Sequence, residues 1–195
     1  MKTNETWRAG LQVRMTGVNN FSRAAAYLID WYIASMLAGV PIVLISSSVL
    51  KTTDISQDLS RLPLPWSVLA GLLAIACYLG YYFVLELKVF PGQTFGKRLL
   101  RLKVVKEDGS DVDVKTIAKR EILGMMIVEG YLANSSSYLR QVIQLFSPVN
   151  IMDMAVYFFG IISAVSVLLG MVSASRRMLH DYIGGTREIS VKAEI

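Results

Sequence analysis

The sequence predicts an all-α integral membrane protein with four transmembrane helices, both termini in the cytoplasm and a small cytoplasmic β-hairpin between helices 2 and 3. Hydrophobic residues make up 53% of the 195 residues, and charged residues only 18%. The hydrophobic residues are concentrated in runs of about 20, long enough at ~1.5 Å per residue to cross a hydrocarbon layer ~30 Å thick. Most of the Lys and Arg residues lie beside these runs rather than within them.

Four segments qualify as membrane spans, namely residues 24–50, 66–87, 122–139 and 151–173. The first, second and fourth are strongly apolar along their whole length. The third is interrupted by Glu129 and diluted at its far end by Asn134 and three serines. Its assignment as a span therefore depends on the distribution of charge around it.

The charge distribution favours four spans with the N-terminus inside. In that arrangement seventeen of the twenty Lys and Arg residues lie on the side of both termini, and three lie on the other side. Cytoplasmic segments near spans carry the excess of Lys and Arg, so this asymmetry indicates that both termini are cytoplasmic. Residues 1–22 are then a cytoplasmic N-terminal segment, residues 23–190 a single membrane domain, and residues 191–195 a C-terminal tail.

The first apolar run is expected to remain in the membrane. A polar stretch of more than 20 residues precedes it, and the run is longer than the apolar core of a typical cleaved signal peptide. We therefore expect the first span to be a helix of the folded protein.

The connection between the second and third spans carries the pattern of a β-hairpin. Leu102–Lys115 alternates apolar and polar residues around Asp108-Gly109, a pair typical of hairpin turns. The C-terminal segment Thr186–Ala193 alternates in the same way. It is predicted to add an edge strand to this hairpin beneath the membrane.

The segment just after the second span is basic and partly apolar. Three apolar residues at helical spacing stand among three cations: Phe95, Leu99 and Leu102, with Lys97, Arg98 and Arg101. Such a stretch is typical of a helix that lies on an anionic inner leaflet. A connector whose cations merely reach up to the interface is the alternative.

Asp30 is the most unusual residue of the first span, because it lies about seven residues inside an apolar run. An ionised carboxylate facing lipid costs several kcal/mol, so Asp30 should face protein or water. On a helix it shares a face with Arg23, Ala26, Ala34 and Ala38. Small residues on that face allow close helix contact, which predicts that the face points inward.

Three further acids lie in or next to the spans. Glu86 is near the inner end of the second span, Glu129 is near the middle of the third, and Asp181 follows the fourth. With Arg23 and Asp30 they form a candidate ion-binding cluster, because buried carboxylates can exchange a proton for a cation. The alternative is a polar network that locks the helices together and binds nothing.

Several other chemistries are excluded or disfavoured by the residues. The single Cys77 excludes an intrachain disulfide, and with a single His180 a structural zinc site of Cys and His ligands is not expected. Gly92–Arg98 has three residues between its glycines and no Ser or Thr after Lys97, so it is not a P-loop. We predict no enzymatic activity, no cofactor, no metal site and no nucleic-acid binding.

Three segments, taken in order, resemble the RDD family of membrane proteins, named for one Arg and two Asp. The sequence of residues 23–30 (RAAAYLID) resembles the opening motif, residues 92–97 (GQTFGK) the segment after the second span, and residues 179–186 (LHDYIGGT) the closing motif. The resemblance implies that Arg23, Asp30 and Asp181 are the three name residues. It also implies a multi-pass protein of the bacterial inner membrane, with transport and cation/proton antiport suggested for some members.

Two functions remain open at this point. The first is a small cation/proton or solute transporter, in which Asp30 helps to bind the ion and Arg23 with Asp181 forms an inner gate. The alternative is a non-catalytic accessory or regulatory subunit of a larger membrane complex. The expected partners are the lipid bilayer, anionic lipid at the basic inner face, and a second copy or another membrane protein.

Overall fold

The computed structural model describes residues 18–51 and 56–191. Three of its helices are long and apolar enough to cross a membrane, which confirms the first, second and fourth predicted spans. They are α1 (Asn20–Leu50), α2 (Leu64–Val84), which continues as a π-helical turn (Leu85–Val89), and α6 (Ile151–Val172). Most of the predicted N-terminal segment 1–22 and of the tail 191–195 lies outside the described residues.

Helix α1 begins at Asn20, four residues before the predicted span, and it packs as its sequence predicts. The Asn19 side chain accepts a hydrogen bond from the Phe21 amide at 3.0 Å and so caps the first turn. The predicted inward stripe is buried along the helix, with Ala26, Asp30 and Ala34 each at most 1% exposed. Helix α1 packs mainly against α2 through this face.

The third predicted span is not one continuous helix, so its prediction over residues 122–139 is wrong in form. The chain forms α4 (Val114–Ala118), continues as a π-helical segment (Lys119–Glu129), breaks, and restarts as α5 (Asn134–Gln144). Gly130 ends the first part in the left-handed region, with φ of 57°. At the break, Arg140 Nη1 donates to the Gly130 carbonyl at 2.5 Å.

The predicted β-hairpin within Leu102–Lys115 is also wrong. Strand β1 (Leu102–Lys106) pairs antiparallel with β2 (Thr186–Ser190), and Lys106 lies opposite Thr186. A turn does form at Asp108-Gly109, but Asp113 then caps α4 by accepting from the Thr116 amide at 2.8 Å. This helix start prevents a returning strand. The predicted strand in the C-terminal segment is therefore confirmed, with β1 as its only partner in the described chain.

The basic segment after α2 is a short helix rather than a longer amphipathic one. Helix α3 covers Phe95–Leu99, and both of its terminal apolar side chains are exposed. Leu102, expected on the same helical face, starts β1 and is buried. The exposed apolar face of this segment is thus limited to one helical turn.

The elements converge on the two ends of the helix bundle, which we call the charged end and the opposite end. At the charged end, the start of α1 meets α7 (Leu179–Gly184), the sheet and the start of the π-helical segment. At the opposite end, the short 3₁₀ turn Leu59–Arg61 meets α5, where the Leu59 amide donates to the Gln141 side chain at 3.0 Å. The broken third segment therefore extends from one end of the bundle to the other.

Candidate functional site

Asp30 anchors the segment after α2 to α1. Its Oδ1 accepts hydrogen bonds from the Tyr81 hydroxyl at 2.6 Å and the Gly96 amide at 2.8 Å. Its Oδ2 accepts from the Thr94 hydroxyl, and Thr94 also caps the start of α3. Both carboxylate oxygens are therefore occupied by donors from the protein itself.

Gly96 makes this attachment sterically possible. A Cβ added at Gly96 would lie 2.9 Å from Asp30 Oδ2 and would collide with the Ala26 backbone carbonyl. The glycine at position 96 of the family-like segment 92–97 therefore has a physical reason, because only glycine lets α3 approach α1 this closely.

A second set of charges, which we call the four-charge cluster, consists of Arg23, Arg120, Asp181 and Glu188. Arg23 Nη2 lies 3.0 Å from Asp181 Oδ2, and Arg23 Nε lies 2.6 Å from Glu188 Oε2. Arg23 Nη1 also donates to the Arg176 carbonyl. Arg23 therefore joins α1 to α7, to β2 and to the segment that follows α6.

Arg120 completes the cluster from the opposite side. Its Nη1 donates to Asp181 Oδ1 and, at 3.0 Å, to the Thr186 hydroxyl. Its Nη2 lies 3.3 Å from Glu188 Oε1. Two guanidinium groups thus share two carboxylates, and each carboxylate contacts both arginines.

The electrostatics of this cluster keep both acids ionised. Burial alone would raise the pKa of Asp181, but Arg120 and Arg23 beside it hold that pKa well below its usual range. The pKa of Glu188 is also lowered, because Arg23 and other cations outweigh the effect of burial. The cluster is therefore a closed, charge-paired network.

Glu86 forms a separate buried ion pair. Its Oε1 lies 2.5 Å from Lys97 Nζ, which links the π-helical turn after α2 to α3. Burial alone would lower the pKa of Lys97, but Glu86 raises it above its usual value. This pair holds α3 in place together with Asp30.

Glu129 sits at the break in the third segment and contacts α6 and α7. Its Oε1 accepts from the Ser166 hydroxyl at 2.6 Å and from the His180 amide at 2.8 Å, and His180 Nδ1 lies 2.8 Å from the same oxygen. Its Oε2 has no hydrogen-bond partner among the described residues, although Glu129 is only 1% exposed. Most buried acceptors in folded proteins have a partner. Among the carboxylates of the described residues, Glu86 Oε2 and Glu121 Oε1 also lack one.

A cavity of about 450 Å³ lies between α1, the π-helical segment and α6 at the charged end. Its walls include apolar side chains of α1 and α6. Eight titratable residues other than tyrosine also line it: Arg23, Asp30, Lys97, Arg120, Glu121, Glu129, His180 and Glu188. The three Lys and Arg residues among them are already paired, Arg23 and Arg120 within the four-charge cluster and Lys97 with Glu86.

Glu121 is the second acid of the cavity that has a carboxylate oxygen without a hydrogen-bond donor. It is 3% exposed, and its Oε1 lies 3.3 Å from Arg120 Nε without forming a hydrogen bond. Arg120 is already shared with Asp181 and Glu188, so it neutralises Glu121 only in part. Glu121 and Glu129 thus differ from Asp30, whose acceptors are filled.

The five residues predicted as one site fall into separate groups. Arg23 and Asp181 meet in the four-charge cluster, whereas Asp30, Glu86 and Glu129 each have their own partners. Within the described chain no hydrogen bond or ion pair joins Arg23 to Asp30. Arg23, Asp30 and Glu129 nevertheless line the same cavity.

Sequence reasoning missed Arg120, Glu121 and Glu188 as site residues. Arg120 and Glu121 look like loop charges before an apolar run, and nothing local pairs them with α7. Glu188 carried a usable signal, because alternation in a strand puts Thr186 and Glu188 on one face. Both side chains contact Arg120.

A model of the RDD family matches residues 18–185. The chain belongs to the RDD family. The match takes in the attachment at Asp30, α7 and every residue that lines the cavity except Glu188, and with the three apolar helices it identifies a membrane protein. No curated protein and no solved structure matches the chain.

Proposed function

We propose that this RDD-family protein is a small multi-pass carrier that exchanges a cation for a proton at the cavity carboxylates Glu121 and Glu129. The observation that carries the proposal is the orphaned Oε2 of Glu129 in a cavity at the charged end. A buried carboxylate oxygen without a donor is costly unless it binds a proton or a cation. The cavity provides the space for such a ligand.

Four membrane crossings suit this role, with the broken third segment as the additional span. Its start contacts the charged end through Arg120, and its second half contacts the opposite end through Gln141. A broken helix inside a bundle is tolerated where other groups satisfy the freed backbone, as Arg140 does at Gly130. The excess of cations then puts the charged end in the cytoplasm.

His180 joins Glu129 to the four-charge cluster. Its Nδ1 contacts Glu129, its Nε2 lies 3.8 Å from Asp181 Oδ1, and Arg120 faces the same Asp181 oxygen. In this proposal the exchange takes place at the carboxylate. A cation that enters beside Glu129 Oε2 displaces the proton bound there, and its exit allows the proton to return.

Asp30 has a different role in this proposal from the one first expected. All its hydrogen bonds come from Tyr81, Thr94 and Gly96, so a cation could bind it only by displacing these donors. We therefore assign Asp30 to the attachment of α3. The transported cation is assigned to Glu121 and Glu129, the two acids that both line the cavity and have an unfilled acceptor.

The hydrogen bonds that occupy both oxygens of Asp30 and the ion pairs of the four-charge cluster also fit the second candidate, a non-catalytic accessory subunit. Both arrangements account for buried charge without any substrate, and they fix the geometry of the charged end. The exposed face of α3 would then contact a partner at the inner surface. This candidate leaves the orphaned oxygen of Glu129 unexplained, so we place it second.

The test is cation-dependent proton flux into proteoliposomes, read by an internal pH dye under gradients of Na⁺, K⁺, Li⁺ or tetraphenylphosphonium, with empty vesicles as the background. We expect flux with at least one of these cations for the wild type and for Glu107→Gln, which makes the same chemical change at an exposed side chain. We expect Glu129→Gln to lose the flux while remaining folded, because Gln keeps the Oε1 acceptor. Flat traces with every cation from a folded wild type would overturn the carrier and favour the accessory subunit.

A further inference from the structure

We propose that the ligand of this cavity is a lipophilic organic cation that enters sideways from the inner leaflet. The inference rests on the proposed carrier and names its substrate class. Three observations support it, namely the volume of the cavity, the exposed apolar residues at its opening, which we call the rim, and the buried acids Glu121 and Glu129, which we call the floor.

The rim of the cavity faces the membrane. Phe21 and Ala24 of α1 and Met171 of α6 line the cavity and are exposed, with Phe21 79% and Met171 56% exposed. Both helices are apolar spans, so their exposed side chains contact lipid. A ligand dissolved among the lipid chains near the inner headgroups can therefore reach the cavity without crossing the polar network.

The floor of the cavity selects for positive charge. Glu121 and Glu129 are buried, and each has a carboxylate oxygen without a hydrogen-bond donor. The cations that line the cavity are already paired with Asp181, Glu188 and Glu86, so they do not fully neutralise these two acids. A positively charged ligand would be attracted to them, whereas an anion would be repelled.

The size and ligand set suit an organic cation better than a bare metal ion. A volume of about 450 Å³ falls in the range of small-molecule sites. Within residues 18–51 and 56–191, no group of three His, Cys, Asp or Glu side chains could hold a metal ion. The aromatic rings of Phe21, Tyr27 and Tyr82 also line the cavity, and such rings attract organic cations.

A helix of a partner protein would fit this opening less well. The backbone groups of a membrane helix are satisfied within the helix, so an apolar partner helix offers no donor to a buried carboxylate. Such a partner would cover the rim but would leave Glu129 Oε2 unpaired. The orphaned oxygen therefore favours a small ligand that brings its own positive charge.

The experiment measures equilibrium binding of tetraphenylphosphonium to the purified full chain in detergent. Tetraphenylborate has nearly the same shape and the opposite charge, so it tests selection by charge. We expect saturable binding of the cation to the wild type, about tenfold weaker binding to Glu129→Gln, and no comparable binding of the anion. Excess Na⁺ should not displace the cation at matched ionic strength.

Two further variants test the route of entry. Ala24→Trp puts a large side chain at the rim without touching the acids, and we expect it to weaken binding at least tenfold. Ala164→Trp puts the same side chain on an exposed position of α6 that does not line the cavity, and it should bind as the wild type does. Thermal unfolding midpoints of all variants establish that each one is folded.

The outcomes separate this inference from the carrier itself. Na⁺-dependent proton flux without tetraphenylphosphonium binding would overturn the lipophilic substrate and leave the carrier standing. Equal binding of tetraphenylphosphonium and tetraphenylborate would overturn charge selection and indicate an apolar surface of the kind a partner helix would use. Unchanged binding in folded Glu129→Gln and Ala24→Trp would overturn the cavity as the binding site.

Discussion

Asp30 and Glu129 are both carboxylates that line one cavity, yet their surroundings differ. Asp30 accepts three hydrogen bonds that use both oxygens, and its donors tie α3 to α1. Glu129 has three polar contacts at Oε1 and none at Oε2. The difference teaches that burial of an acid in a span does not by itself identify an ion site. An unfilled acceptor on an acid that lines the cavity is the sharper criterion, because Glu86 also has an unpartnered Oε2 but does not line the cavity.

The four-charge cluster extends the same comparison, because its acids are as closed as Asp30. Substitutions in the four-charge cluster should therefore lower stability, whereas substitutions of Glu121 and Glu129 should lower ion binding. Substitutions and changes of pH distinguish these two groups of acids.

Arg120→Gln should have the largest effect on stability. The substitution leaves Asp181 and Glu188 with one arginine between them and removes the cation beside Glu121. Removing one partner of a buried ion pair costs about 3–5 kcal/mol, so the unfolding midpoint in detergent should fall by many degrees. Arg98→Gln, at an exposed position, is the control and should unfold near the wild type. A midpoint of Arg120→Gln within one degree of that control would show that the cluster is not structural.

Gly96→Ala should have the next largest effect, because its Cβ meets the Ala26 carbonyl and Asp30. Relief of that overlap requires α3 to move from α1, at a cost of about 1–3 kcal/mol. Gly160→Ala is the matched control, since a Cβ there meets nothing within 4 Å and alanine favours a helix. Thermal unfolding of the two variants measures the difference. Equal midpoints would contradict the close attachment of α3.

Acid should weaken the four-charge cluster. The folded-state pKa values of Asp181 and Glu188 are lowered, so the unfolded chain binds more protons than the folded one near pH 4. The stability that these acids contribute is present above their unfolded pKa values of about 4 and is lost as the pH falls through their folded values. The unfolding midpoint should therefore fall between pH 7 and pH 3.5, and by less in Glu188→Gln. An equal fall in both proteins would remove Glu188 from the paired network.

Glu129→Gln should have the smallest effect on stability, under about 1 kcal/mol. Gln retains the oxygen that accepts from Ser166 and His180 and changes only the atom that has no partner. Urea or thermal unfolding in detergent measures this effect, with Glu107→Gln as the control at an exposed site. A loss as large as that of Arg120→Gln would place Glu129 among the structural charges.

The sequence predicts the three apolar helices and the buried stripe of α1, because hydropathy and helical spacing are local properties. It does not predict the break at Gly130, which depends on contacts of Glu129 with Ser166 and His180 from distant elements. Strand pairing is equally remote, since β1 and β2 are about 80 residues apart in the chain. The turn at Asp108-Gly109 was identified from sequence, but the cap at Asp113 redirects the chain into a helix.

The sequence predicts which acids belong to the candidate site better than it predicts which residues contact one another. Asp30, Glu86, Glu129 and Asp181 stand out as acids in or near apolar runs. Which cation meets which acid depends on how α7 and β2 fold back onto the start of α1. That arrangement pairs Arg23 with Asp181 rather than with Asp30.

The most direct test of the account compares Asp30→Asn with Glu129→Gln in one flux assay. Proton flux in proteoliposomes is normalised to the folded protein that each sample contains, measured by its unfolding transition. The account predicts that Asp30→Asn lowers the folded yield and retains the flux per folded molecule, whereas Glu129→Gln keeps the yield and loses the flux. The opposite pattern, with flux lost only in Asp30→Asn, would contradict it.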